Sequence, residues 1–107
     1  MEVHTLGFDQ KARWSVSHRP RIDSSRTLVV LFGSSSLLDA DGPIEELLHD
    51  YPDSLAIGCS TAGEILGTRI CDESVSAAVV RFEQTDIRLA SAPVRSADES
   101  FAAGQDI

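Results

Sequence analysis

The chain has 107 residues, room for one domain of ordinary size, and 42% hydrophobic with 24% charged residues is a globular rather than a disordered composition. Seventeen acidic residues against nine basic ones give a net charge of −8, which repels polyanions and sets nucleic acid aside. No apolar run approaches the ~18 residues of a membrane span, and Met1 to Phe8 lacks the charged and apolar regions of a secretory signal, so the cytoplasm is the expected compartment.

In chain order, Glu2 to Phe8 reads as a short strand, with Leu6 and Phe8 on one face and Val3 and Thr5 on the other. From Asp9 to Arg26 no period is sustained, and the stretch reads as an extended or poorly ordered connection. Its basic residues Lys11, Arg13, Arg19, Arg21 and Arg26 read as a solvated loop, since only Trp14 offers a stacking ring. Thr27 to Gly33 holds the run Leu28, Val29, Val30, Leu31, Phe32, the pattern of a central strand buried on both faces. A Ser34-Ser35-Ser36 turn and the acidic Asp39 to Gly42 stretch follow. Pro43 then suits a first helical residue, Glu45 and Glu46 complement the helix N-terminus, and Pro52 forbids continuation. Ile44, Leu47, Leu48 and Tyr51 form its buried stripe.

Ser54 to Gly58 is a second apolar strand, which completes a βαβ unit and puts the loops after Gly33 and Gly58 at one sheet edge, where α/β proteins bind ligands. Ser74 to Phe82 and Asp86 to Val94 are expected to form an antiparallel hairpin around Glu83 to Thr85. Ser96 with Glu99 matches a capping box, opening a helix with Ala97, Phe101 and Ala102 that stops at Ile107. That helix looks cut short, so the expectation is a fragment of a longer protein or a core completed by a partner. The fold class is therefore α/β: a mixed β-sheet with a βαβ unit and an antiparallel hairpin, in one domain over residues 1–107.

The densest chemistry lies in Gly58, Cys59, Ser60, Thr61, Ala62, Gly63 and Glu64, a small-residue loop directly after a strand. The glycines permit close approach to the backbone, and the hydroxyls offer donors and acceptors without bulk. Cys59 is either a buried or ligand-lining thiol or a nucleophile. The second role needs a base, and neither His18 in the charged loop nor His49 on the polar helix face is placed for it. Glu64 could hold a ligand amino group, cap a turn, or pair with Arg69. No phosphate-loop lysine follows the glycines, and no Cys or His pair shows metal-ligand spacing. Two cysteines, Cys59 and Cys71, suit free thiols in a reducing compartment.

The stretch from Leu28 to Glu64, above all GCSTAGEI at 58–65, resembles the N-terminal domain of the FIST family, the F-box and intracellular signal transduction sensory proteins. The resemblance continues through IEELLHDYP and SAAVVRFEQTDIRLASAPV. It implies a non-catalytic sensor of small ligands such as amino acids, with residues 58–64 as ligand-binding positions. It also implies a downstream signalling protein or a companion C-terminal domain as partner. Some members sense nitric oxide through haem, for which His4, His18, His49, Cys59 and Cys71 are the formal axial candidates here. A structural or interaction fragment is the remaining reading, in which exposed Phe101 and Ile107 would favour a homo-oligomer.

Overall fold

The computed structural model describes residues 1–38 and 42–107; Asp39, Ala40 and Asp41, in the expected acidic stretch, lie outside the described residues. Strand β1, Glu2–Asp9, follows its alternation: Leu6 and Phe8 are buried, while Val3 and Thr5 face outward. Strand β3, Thr27–Gly33, and strand β4, Leu55–Ser60, run parallel, joined through helix α1, Pro43–His49. Pro43 stands in the first turn with Glu45 and Glu46, and Ile44, Leu47 and Tyr51 are buried, so the proline-started amphipathic helix forms where its pattern places it.

The five-stranded sheet has the order β2-β1-β7-β3-β4, where β2 is Arg13–Trp14 and β7 is Val75–Arg81. Its β3–β4 pair is parallel and its other pairs are antiparallel, which makes the sheet mixed. Leu6, Val29, Ala77 and Val79 pack under Leu47 and Tyr51, while Phe8 and Val75 pack with Leu37 and Ile44. Burying side chains of this size stabilises by about 1.5–3 kcal/mol each, and these two clusters are the core.

Three expectations change. Asp86–Val94 forms no strand, so the hairpin expected around Glu83 to Thr85 is not made, although the fold has an antiparallel hairpin elsewhere, at Glu64–Cys71. The reason is topological: β7 already pairs with β1 on one side and β3 on the other, so it has no edge left for a hairpin partner. The central strand β3 is buried on one face, with Thr27, Val29 and Gly33 inward, whereas Phe32 on the other face is 43% exposed. The capping box is not made: Ser96 gives no side-chain cap, and Glu99 accepts instead from the Arg95 amide at 3.3 Å. A single 3₁₀ turn, Ala97–Glu99, leads into helix α2, Ser100–Asp106, which leaves Phe101 exposed.

The Asp9 to Arg26 connection is packed rather than loosely solvated. The Trp14 ring lies 5.3 Å from that of Phe8, Ile22 is buried, and the Tyr51 hydroxyl donates to the Pro20 carbonyl at 2.7 Å. Arg19 stacks over Trp14 and reaches both Glu46 and Asp50 of the α1 region, at 2.8 and 2.9 Å. Arg26 likewise pairs with Asp86. The arginines thus bind the connection to the fold through their planar heads and their stems. Among the described residues no helix is long and apolar enough to cross a membrane.

Candidate functional site

The two loops expected at one sheet edge do meet there. Thr61 donates its amide to the Gly33 carbonyl at 2.9 Å, and Ser34 donates its amide to the Ser74 carbonyl at 3.1 Å. The serine run is a 3₁₀ turn, Ser35–Leu37, whose N-cap hydroxyl Ser34 accepts from the Ser36 amide. Parallel pairing causes this meeting, because it ends β3 at Gly33 beside Ser60 at the end of β4.

Gly58 is where the motif needs a glycine most. A Cβ built there would clash with the Leu31 carbonyl oxygen, a backbone atom that cannot step aside. The bare Cα lets β4 lie against β3 at this point.

Glu64 begins a small hairpin that the sequence reading did not anticipate, β5 Glu64–Leu66 with β6 Arg69–Cys71. Gly67, at φ +64°, opens its two-residue turn, and a Gly-Thr pair at that spacing was the available signal. The Glu64 carboxylate is only 2% exposed. One oxygen accepts from the Thr61 hydroxyl; the other accepts from the Ser74 amide at 3.0 Å and the Ser74 hydroxyl at 2.8 Å. Burial alone would push its pKa up, but the hydrogen bonds from Thr61 and Ser74 outweigh it and hold the carboxyl below its ordinary range. Through these bonds Glu64 staples the motif loop to the start of β7.

The motif residues therefore divide. Gly58, Cys59 and Ser60 line a cleft of about 360 Å³ with Leu31, Gly33, Ile44, Leu48 and Ala56, between α1 and the carboxyl ends of β3 and β4. Thr61 and Glu64 bind each other, and Gly63 sits against Ile70 of the hairpin, where a Cβ would come within 3.3 Å. Ala62 lies in the turn between β4 and β5. The cleft is mainly apolar, and among the described residues its polar side chains are Cys59 and Ser60. A second hollow of about 310 Å³ lies across β1, with Leu66, Gly67 and Arg69 of the hairpin on its rim.

Cys59 is exposed and Cys71 half-buried, both as free thiols, and of the two non-catalytic placements expected for Cys59, buried or lining a cleft, it takes the second. His4 bonds to Glu2 and pairs across to Val79, three residues along the sheet from the Cys59 row; His18 lies in the connection before Pro20, and His49 ends α1. Among the described residues the cleft thus offers one thiol and no imidazole, a donor set that does not fit a histidine-ligated haem. Among the described residues no group of three or more His, Cys, Asp or Glu is gathered as for a metal ion.

A family model described as the FIST N domain matches residues 27–107, which is 81 of the 107 residues. No curated protein and no solved structure matches.

Proposed function

The chain belongs to the FIST N domain family, a family of sensory domains in signalling proteins, and from that premise we propose that it binds a small ligand in the cleft between α1 and the ends of β3 and β4. The observation that carries this reading is the meeting of the motif with the cleft. Gly58, Cys59 and Ser60 form one wall of a hollow at the carboxyl ends of adjacent parallel strands, where open α/β sheets hold ligands.

The lining favours a ligand with an apolar body and one polar group, such as an apolar amino acid. Leu31, Ile44, Leu48 and Ala56 take the body, and the Ser60 hydroxyl with nearby backbone takes the polar end. Glu64 acts as a positioning residue through Thr61. Binding without turnover is the reading, because among the described residues no base lines the cleft beside the Cys59 thiol and the Ser60 hydroxyl, and nucleophilic catalysis requires one. A cytoplasmic setting suits the two free thiols, and a downstream protein or companion domain would read the bound state.

A thermal-shift screen against amino acids and small carboxylates tests it. A ligand at about 100 times its Kd stabilises by roughly 2.7 kcal/mol, a rise on the order of 10 °C for a chain of this size. Ser60→Phe, which fills the cleft from an exposed position, is expected to abolish the shift while leaving the unliganded Tm near its original value. A flat screen on a cooperatively folding chain would overturn the reading.

A further inference from the structure

The cleft between α1 and β4 opens onto main chain as well as side chains. Consecutive residues from Ala56 to Ser60 line it, although successive side chains of a strand point to opposite faces. A cleft confined to one face would touch alternate residues only. Contact with the whole run makes the backbone of β4 itself a wall, and among the described residues no strand pairs with that outer edge.

Pairing with β3 assigns the groups on that edge. The Thr61 amide donates to the Gly33 carbonyl at 2.9 Å, so the main chain at Thr61 turns toward β3. Backbone N–H and C=O groups change sides from one strand residue to the next. Those of Ile57 and Cys59 therefore turn toward β3 as well, and those of Ala56, Gly58 and Ser60 turn outward. These three carry the smallest side chains of LAIGCS, on the face of the inward Val29 that pairs with Ala56. Their outward amides and carbonyls thus stand open to the cleft, with Ile44 and Leu48 of α1 across from them. The two edges of the sheet also differ in protection. Strand β2 closes one edge with two residues, one of them Arg13. Strand β4 offers six residues without a charge or a proline, and its Ile57 is 44% exposed. An edge of that kind is a template for another strand.

We propose that the cleft and the β4 edge together form a peptide-binding groove, and that its occupant is an extended, basic segment of a partner protein. The segment pairs its backbone with Ala56, Gly58 and Ser60 and turns an apolar side chain toward Ile44 and Leu48. This inference rests on the reading of the cleft as a binding site and names the class of ligand. Backbone pairing supplies affinity, and the pocket for alternate side chains supplies choice. Charge selects the partner. Strand β4 is neutral, Glu45 on α1 and Asp53 before β4 are exposed, and the chain as a whole carries −8, a field that draws a basic segment. A second copy would bring the same −8 to the same edge and is disfavoured by it.

Calorimetric titration of the full chain with acetyl-Lys-Leu-Thr-Leu-Thr-Lys-amide, beside free leucine, tests it. The peptide is expected to bind about tenfold or more tightly than leucine. On binding, amide exchange at Ala56, Gly58 and Ser60 is expected to slow by about tenfold or more, while Ile57 and Cys59, already bonded to β3, keep their rates. Two versions of the peptide N-methylated at alternate residues keep its side chains and charge. The version methylated on the side facing β4 is expected to lose binding, and the other to retain it. Glutamate in place of both lysines is expected to weaken binding several-fold. Leucine that binds as tightly as the peptide, or methylated versions that both bind like their parent, overturns the peptide groove and leaves the cleft as a site for a free amino acid. Equal binding of the glutamate version overturns the basic partner. Binding of neither probe overturns the cleft reading as well. Protection of Ala56, Gly58 and Ser60 that grows with protein concentration in the absence of peptide overturns the proposal by assigning the edge to a second copy.

Discussion

Glu64 shows how one buried carboxylate can decide the shape of a loop. Its three hydrogen bonds come from Thr61 and Ser74, residues on either side of the β5–β6 hairpin, so Glu64→Gln replaces a charged acceptor by an amide that must turn one NH₂ toward a donor. The expected cost is about 2 kcal/mol in urea unfolding at neutral pH. The sign with pH follows from the depressed pKa. The folded state holds the proton less tightly than the unfolded chain, so the contribution is full above the ordinary carboxylate range and is lost as pH falls below it. The stability gap between the parent and Glu64→Gln is therefore expected to narrow as pH falls through the acid range. At Gly58 the constraint is steric: Gly58→Ala must push the β3 and β4 backbones apart, and a loss of about 3 kcal/mol is expected from the same measurement. Both residues were recognisable as special from the sequence. Their reasons were not, because the Leu31 carbonyl and the Ser74 hydroxyl are brought to them from other parts of the chain.

At the scale of elements, β1, β3, β4, β7 and α1 were legible, because the alternation of β1, the short apolar runs of β3 and β4, the period of about 3.6 residues in α1 and a well-placed Pro43 are all local signals. The connection from Asp9 to Arg26 was not, since its order comes from distant partners: Trp14 on Phe8, Arg19 on Glu46 and Asp50, and Tyr51 on Pro20. Removing the ring at its centre should free it. Trp14→Ala is expected to cost about 3 kcal/mol and to speed tryptic cleavage after Arg21 on the order of tenfold, because cleavage there requires local opening. Cleavage at the parent rate would show that the arginine pairs alone hold the segment.

For the whole molecule, the family match begins at Thr27, but the fold does not. Strand β1 pairs with β7 along seven residues and supplies Leu6 and Phe8 to the two core clusters. A chain beginning at Thr27 is expected to lose cooperative unfolding in calorimetry, since two buried side chains at about 1.5–3 kcal/mol each are comparable to the whole stability of a small domain. Sequence by itself determined the α/β class and the parallel βαβ unit, because both follow from local apolar patterning and from the right-handed crossover that a helix between two strands makes; the motif was expected as a loop, whereas Gly58, Cys59 and Ser60 continue strand β4. Tertiary structure alone decided that β7 lies between β1 and β3, that Asp86–Val94 joins no strand, and that Glu64 is turned into the protein while Gly58, Cys59 and Ser60 line the cleft. Those outcomes depend on which strand edges are already occupied, and edge occupancy is a property of the assembled sheet rather than of any segment in it.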